Sequence, residues 1–241
     1  MRTLVIGDIH GGLKALLQVL ERAKVSSKDT LIFLGDYVDG WSESAQLVQY
    51  LIELNQKQKC IFIKGNHDVW CHEWLLDFDN DNPVWYKNGG KETIESYVNS
   101  EYIIEEHITF FKELKNYYVD SKNRLFIHAG FSSMKGPENE VYHTNYRWDR
   151  TLWEMAIVMD KKVKKSSALY PNRLKLYSEI YIGHTPTLHY NFDIPMQGIN
   201  VWNIDTGAAF TGKLSIMDIN TKQFWQSDPL PSLYPKERGR N

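Results

Sequence analysis

The chain has 241 residues, which is enough for one domain with a full hydrophobic core. Hydrophobic residues make up 42% of it and the formal net charge is -2, so the overall charge gives no reason to expect nucleic acid or a membrane surface as a partner. We predict a single domain over residues 1–241, in which residues 228–241 form a loose tail.

The sequence has no apolar segment long enough to cross a bilayer, and a predicted strand begins soon after Met1. The two cysteines, Cys60 in a predicted strand and Cys71 further along, form neither a disulfide framework nor a pair of zinc ligands. These features predict a cytoplasmic protein with reduced thiols.

Five short apolar runs lack polar alternation, which is typical of strands buried on both faces. They occupy residues 4–6, 31–34, 61–63, 125–127 and 180–182. Leucines recur at helical spacing between the first and second runs, and again between the second and third. The chain therefore opens as β-α-β-α-β, which predicts that the first three strands lie side by side in parallel.

The remaining elements are predicted from composition and periodicity. An excursion rich in Asp, Asn and Gly at residues 77–90 predicts an irregular segment. Further helices are predicted at about residues 91–99, 104–115 and 152–163. The apolar runs at residues 201–204 and 214–217 predict an antiparallel hairpin region that closes the sheet system.

Each of the five apolar runs stops at a residue that can bind a metal. The endings read GDIHG, GDYVDG, GNHD, HAG and GHTP. In α/β proteins ligands gather outside the carboxyl ends of such strands, so we expect these polar residues to converge. The glycines beside them allow unusual backbone angles and a close approach of the backbone to a ligand. The pattern predicts a binuclear metal site.

The five motifs, in this order, resemble those of the calcineurin-like metallophosphoesterase superfamily, specifically its phosphoprotein-phosphatase branch. Bacterial serine/threonine phosphatases and diadenosine tetraphosphatase-like members are the most similar, since segments such as Asn88-Gly89-Gly90 and Asp205-Thr206-Gly207 also resemble them. The resemblance covers nearly the whole chain. It implies an α/β fold of four layers, in which two mixed β-sheets pack face to face and are flanked by helices.

The resemblance also implies six ligands for two divalent metal ions. They are Asp8 and His10 for the first ion, Asn66, His128 and His184 for the second, and Asp36 as the bridge between both. Two ions about 3.5–4 Å apart need an anionic bridge, and a hydroxide shared between them is a strong nucleophile. Oxygen and imidazole ligands without thiolate suit manganese, which we favour, or iron and zinc.

His67 follows the ligand Asn66 directly and resembles the general acid of the family, with Asp39 in place to orient it. An alkoxide is a poor leaving group, so delivery of a proton matters as the P–O bond breaks. The hydroxide is expected to attack phosphorus in line, without a covalent phosphoenzyme.

Phosphate binding is where the sequence departs from its relatives. Many of them read GDxVDRG, whereas here Gly40 is followed by Trp41, so one phosphate-binding arginine is missing. The planar guanidinium group suits phosphoryl oxygens. Arg147 and Arg150 are the predicted substitutes, because relatives also place an arginine after the fourth motif; surface ion pairing is the equal alternative for both.

Three functions stay open. The leading one is hydrolysis of phosphomonoesters, above all of phosphoserine or phosphothreonine in a protein or peptide. The second is hydrolysis of dinucleoside polyphosphates, favoured by the GNHD and HAG motifs and by Trp41, Trp70 and Trp85, whose faces could stack a nucleobase. The third is a non-catalytic scaffold, which is disfavoured because the ligands and the general acid are all present.

Overall fold

The computed structural model describes residues 1–98 and 100–240, and these residues form two five-stranded sheets. The first sheet has the order β10-β9-β1-β2-β3 and the second the order β4-β5-β6-β8-β7. The strands of the first are β1 (Thr3–Ile6), β2 (Thr30–Phe33), β3 (Cys60–Phe62), β9 (Ser215–Asp218) and β10 (Phe224–Gln226). Those of the second are β4 (Tyr117–Val119), β5 (Arg124–Ile127), β6 (Glu179–Ile182), β7 (Met196–Gly198) and β8 (Val201–Asn203).

Both sheets mix parallel and antiparallel pairs. In the first sheet β1, β2 and β3 are parallel neighbours, while β9 and β10 run antiparallel. In the second sheet β5, β6 and β8 are parallel, and the edge strands β4 and β7 are antiparallel. All five predicted buried strands are therefore present. The predicted hairpin is wrong, because β8 pairs with β6 and β7 whereas β9 pairs with β1 and β10 in the other sheet.

Ten α-helical segments accompany these strands in the described part of the chain. They are α1 (Leu13–Arg22), α2 (Ser44–Lys57), α3 (Asn66–Leu76), α4 (Pro83–Trp85), α5 (Lys91–Val98), α6 (Ile104–Glu113), α7 (Asn145–Trp148), α8 (Thr151–Val158), α9 (Asn172–Lys175) and α10 (Leu230–Leu233). The helices predicted near 91–99 and 104–115 are α5 and α6, with residue 99 outside the described residues. The helix predicted over 152–163 ends at Val158, because Asp160 starts a turn by accepting the backbone N–H of Lys162.

Alternate residues of each strand face opposite sides, and this alternation builds the four layers. Val5 of β1 packs in a cluster with Phe126 and Tyr181 of the second sheet, so the two sheets meet face to face. The neighbouring Leu4 and Ile6 face the other way, into a core shared with α1, α2, α3 and α6. The outer face of the second sheet packs on α8. The predicted four-layer α/β arrangement is confirmed, and each fully buried aliphatic side chain stabilises it by about 1.5–3 kcal/mol.

Residues 228–240, here called the C-terminal strap, pack on the body of the protein. Leu230 and Tyr234 are buried, and the ring of Tyr234 stacks on Trp41 with centroids 5.1 Å apart. The backbone N–H of Arg240 donates to the carbonyl of Ala209 at 2.8 Å. The prediction of a loose tail is therefore wrong over the described residues, because this segment buries aromatic surface against the loop that follows β2. None of the described helices is long and apolar enough to cross a membrane.

A partly buried ion pair between Arg2 and Asp29 fixes the start of β1. Asp29, which lies just before β2, accepts hydrogen bonds from the backbone and guanidinium N–H groups of Arg2 and from the backbone N–H of Ser26. The guanidinium of Arg2 holds the pKa of Asp29 below its usual value against the opposing effect of burial. A carboxyl with a depressed pKa stabilises the fold above the unfolded-state pKa, and this contribution is lost as pH falls through the folded-state pKa.

We therefore expect Asp29→Asn to lower the free energy of unfolding by about 1–3 kcal/mol at pH 7. The difference from the wild type should shrink as the pH falls below about 4, where the unfolded carboxyl takes up its proton. Urea unfolding at pH 7, 5 and 3 measures this difference in the free energy of unfolding. The same substitution at an exposed position, Asp81→Asn, is the matched control. A difference that does not vary with pH would contradict this account.

Candidate metal centre

The six predicted ligands lie where strands of both sheets end. Asp8 and His10 follow β1, Asp36 follows β2, and Asn66 opens α3 after β3. His128 follows β5 and His184 follows β6, so these two come from the second sheet. All six are buried, at 8% exposure or less. The carboxyl ends of parallel strands therefore bring them to one place, as the sequence predicts.

Four ligand atoms form a compact group around Asn66. Its side-chain oxygen Oδ1 lies 3.1 Å from Nε2 of His128 and 3.0 Å from Nδ1 of His184. Oδ2 of Asp36 lies 3.4 Å from the same His128 nitrogen. Neighbouring ligand atoms that each lie about 2.1 Å from an octahedral ion are about 3 Å apart. The spacing in this group therefore fits one divalent ion.

A second group meets the first at Asp36. Ligand atoms of His10, Asp36 and His67 lie within 4.8 Å of one another, as do those of Asp36, His128 and His184. Asp36 thus belongs to both groups, which is the position that a bridging carboxylate requires. His67, expected to be a general acid, lies within ligand distance of His10 and Asp36 in this second group.

An unsatisfied atom of Asp8 supports a metal at this place. Its Oδ1 is buried and has no hydrogen-bond partner among the described residues. The other oxygen of Asp8 accepts the backbone N–H of His184 at 2.9 Å, which ties the β1 and β6 loops together. Buried polar atoms are rarely left without a partner, so the donor set fits divalent ions that would occupy these positions.

Four of the nine residues other than glycine that have positive φ angles in the described part of the chain lie at the candidate site. His10, Asp36, Asp39 and His184 adopt positive φ angles of 54°, 52°, 76° and 66°, which side-chain-bearing residues seldom do. The neighbouring glycines matter for another reason. A Cβ on Gly65 would lie 2.1 Å from Oδ1 of Asp36, and one on Gly183 would lie 2.0 Å from Oδ1 of Asp8. The strain follows the pattern of functional sites, where surrounding structure enforces unfavourable angles.

Asp68 is a positioning residue to which the sequence analysis gave no role. Its carboxylate accepts the backbone N–H groups of Asp36, Tyr37 and Gly65 at 2.7–2.9 Å. It thereby fixes the loop after β2 against the loop after β3. The only sequence signal was its place at the end of GNHD, and its partners are backbone groups that no side-chain motif reveals.

Burial and the charges of neighbouring carboxylates set the pKa values at the site. Burial, together with the nearby Asp205 and Asp36, raises the pKa of Asp8 well above its usual value. For His128 burial acts to lower the pKa, but the charges of Asp36 and Asp8 outweigh it and raise the pKa to about 10. Divalent ions would favour ionised carboxylates and neutral imidazoles, so their binding should release the proton of His128.

His67 and Asp39 form a buried pair beside the ligands. Nδ1 of His67 lies 2.5 Å from Oδ2 of Asp39. Asp39 also accepts hydrogen bonds from Nε1 of Trp85 and the hydroxyl of Thr93, both at 2.7 Å. Burial lowers the pKa of His67 to about 3, with Asp36 opposing and the charge of Arg240 adding to the effect. Because Asp39 holds Nδ1, Nε2 is the nitrogen left to face a substrate.

A cavity of about 230 Å³ opens onto these groups. Its walls are Asp36, Asn66, His67, Trp70, Val84, Asn88, Trp148, Arg150, His184 and Arg240. Of the two predicted arginines, Arg150 lines the cavity and Arg147 does not. Arg147 is half-buried, and its Nε has no hydrogen-bond partner among the described residues. Arg240 was missed, because it lies in the segment predicted to be loose.

The three tryptophans proposed for base stacking have different surroundings. Trp41 and Trp85 are buried, and their indole N–H groups donate to Ala208 and Asp39. That part of the prediction is wrong, because both rings belong to the core. Trp70 is half-buried and its ring centroid lies 5.4 Å from that of Trp148, which is 44% exposed. The accessible aromatic surface at the cavity is therefore the pair Trp70 and Trp148.

Two mixed sheets with buried His, Asp and Asn side chains at their strand ends define an α/β protein with a candidate binuclear metal centre. A family model described as calcineurin-like phosphoesterase matches residues 1–204. The chain belongs to the calcineurin-like phosphoesterase family and is a hydrolase, and this family uses divalent metal ions.

Two curated relatives carry different activities. The asymmetrical bis(5'-nucleosyl)-tetraphosphatase PrpE of Oceanobacillus iheyensis is 25% identical over 93% of this chain and 91% of its own length. Serine/threonine-protein phosphatase 1 of Salmonella typhimurium is 24% identical over 89% of this chain and 90% of its own length. Both therefore align with almost the whole chain.

Solved structures share the fold at lower identity. A provisionally assigned diadenosine tetraphosphatase is 16% identical, with a TM-score of 0.62 over 93% of this chain and 92% of the other. A serine/threonine phosphatase from Saccharomyces cerevisiae is 15% identical, with a TM-score of 0.58 over 95% of this chain and 80% of the other. At these identities the likeness shows the fold alone.

Proposed function

We propose that the protein hydrolyses phosphomonoesters, above all phosphoserine or phosphothreonine in a protein or peptide. The observation that carries this proposal is the buried pair of His67 and Asp39 at the cavity wall. A serine or threonine alkoxide must be protonated as it leaves, whereas the leaving group of an anhydride needs this less. An oriented imidazole beside the ligands supplies that proton.

The low pKa of His67 is compatible with this role. Burial disfavours the imidazolium when the cavity holds no anion. A phosphoryl group placed in the cavity would bring negative charge close to the ring and favour the protonated form. Asp39 keeps the ring oriented by holding Nδ1, and Trp85 and Thr93 keep Asp39 in place.

The six candidate ligands are divided between two metal ions. We assign Asp8 and His10 to one ion, Asn66, His128 and His184 to the other, and Asp36 to both. When bound, the two ions supply Lewis acidity toward phosphoryl oxygens and activate water for in-line attack. Manganese is the proposed metal, with iron or zinc as alternatives, since oxygen and imidazole donors suit all three. Both cysteines are free thiols, which agrees with a reducing, cytoplasmic location.

The second candidate is hydrolysis of dinucleoside polyphosphates. It is supported by the aromatic pair Trp70 and Trp148 at the cavity and by the similarity to a bis(5'-nucleosyl)-tetraphosphatase. An indole face at a cavity mouth can stack on a nucleobase, and such stacking contributes about 1–3 kcal/mol. In this case Trp148→Ala should raise KM for the dinucleotide by about tenfold or more and leave KM for a small aryl phosphate unchanged.

Steady-state kinetics with added Mn²⁺ decide between the candidates. The substrates are a phosphothreonine peptide, diadenosine tetraphosphate and an aryl phosphate. The Asp36→Asn variant is the inactive control. We expect kcat/KM for the peptide to exceed that for the dinucleotide by at least about tenfold, the margin of 1.4 kcal/mol in transition-state binding. A preference of that size for the dinucleotide would replace the first proposal by the second.

A further inference from the structure

The loop after β2 leaves a space that the C-terminal strap fills. Gly40 has a φ of +115°, and a Cβ built there would lie 3.1 Å from Cγ of Arg240 and 3.5 Å from its backbone N. Where relatives with GDxVDRG carry an arginine side chain, this chain has only a hydrogen. The aliphatic part of Arg240 packs against that hydrogen, so the C-terminal strap meets the loop after β2 beside the candidate metal ligands.

We propose that Arg240, carried on the C-terminal strap, binds the phosphoryl group of the substrate and takes the place of the arginine absent at position 40. This inference rests on the proposed phosphoesterase function. It makes the strap a part of the substrate site, which no sequence motif predicts.

Several contacts hold Arg240 in place. Its backbone N–H donates to Ala209, and its guanidinium lies over the ring of Phe210 at 5.4 Å from the centroid. One guanidinium N–H group donates to Oδ1 of Asn88 at 3.2 Å. These contacts leave its position set before any substrate binds, which reduces the entropy cost of binding.

Three residues before Arg240 in the strap, Glu237 accepts hydrogen bonds from the backbone N–H and the hydroxyl of Ser42 at 3.0 and 2.8 Å. Together with the stacking of Tyr234 on Trp41, these bonds tie the strap to the loop that carries Asp39 and Gly40.

The guanidinium of Arg240 also has N–H donors that no acceptor among the described residues uses. Among the described residues, the only hydrogen-bond acceptor of the guanidinium is Asn88, its Nε is buried without a partner, and no carboxylate forms an ion pair with it. It lines the same cavity as Asp36, Asn66 and His67. A charged fork with free N–H groups, facing a cavity lined by metal ligands, is suited to bidentate contact with phosphoryl oxygens. Arg150 lines the same cavity and can contact another oxygen of the group.

The test measures binding of inorganic phosphate to the manganese-loaded protein by calorimetry, alongside the metal content of each variant. We expect Arg240→Ala to weaken phosphate binding by about 10–100-fold, the range for a hydrogen bond between charged groups, with unchanged metal content. Arg240→Lys should restore only part of the affinity, because an ammonium group lacks the planar fork. Arg238→Ala, an exposed strap residue outside this cavity, is the matched control and should bind as the wild type does.

The binding assay separates this inference from the proposed function. A wild type that binds phosphate through Arg240 but hydrolyses no phosphomonoester would leave the arginine assignment standing and refute the activity. Equal affinity of the wild type and Arg240→Ala, or no phosphate binding by the wild type, would overturn the assignment even in an active enzyme. With an active enzyme, KM for an aryl phosphate should rise in Arg240→Ala in parallel with the loss of phosphate affinity.

Discussion

Asp36→Asn is expected to lower kcat/KM by about 10³-fold or more and to reduce the bound metal. Asp36 lies in both groups of candidate ligands, with Oδ2 3.6 Å from Nε2 of His10 and 3.4 Å from Nε2 of His128. An amide removes the negative charge that two neighbouring cations need between them. Since changes outside the ligand shell already cost about 10–100-fold, loss of the bridge itself should cost more.

Metal content by elemental analysis and kcat/KM for an aryl phosphate check this result, and circular dichroism checks the fold. Asp193→Asn is the matched control, because Asp193 is exposed and pairs with Lys213 at the surface. The bridging assignment would be refuted by a folded Asp36→Asn protein that retains two metal equivalents and its turnover.

The convergence of the candidate ligands was predictable because the rule that places residues at strand ends is local. A buried parallel strand is recognised by its apolar run, and the residue at its carboxyl end must lie on the rim of the sheet. Asp8, Asp36 and Asn66 needed nothing beyond this rule. His128 and His184 also follow buried strands, but these strands belong to the other sheet, so the approach of both side chains to Asn66 further depends on how the two sheets pack, which the local rule does not state.

Features that depend on distant contacts were not predictable in this way. The run at 214–217 reads as a strand, but its apolar character does not say which sheet it joins, and it pairs with β1 rather than with β8. Trp41 is next to a motif glycine and yet is buried, because Tyr234 of the strap covers it. The strap lacks a periodic apolar pattern, so Arg240 was missed together with the segment that carries it.

The geometry around His67 allows two roles, which one substitution distinguishes. The ring lies within ligand distance of His10 and Asp36, and its Nδ1 is held by Asp39. A metal ligand would need a free nitrogen directed at the ion, whereas a general acid needs its free nitrogen at the leaving oxygen. With Nδ1 occupied by Asp39, both roles would have to use Nε2, and they exclude each other.

His67→Asn should lower kcat for a phosphothreonine peptide by about 10²–10⁴-fold while the protein keeps its metal, because the alkoxide then leaves without a proton. For an aryl phosphate with an acidic phenol the loss should be much smaller, since that leaving group departs as the anion. Asp39→Asn should show the same dependence on the leaving group with a smaller loss, because the ring stays but its orientation is no longer fixed. Loss of metal from His67→Asn, or an equal loss of turnover on both substrates, would instead make His67 a ligand of the first ion.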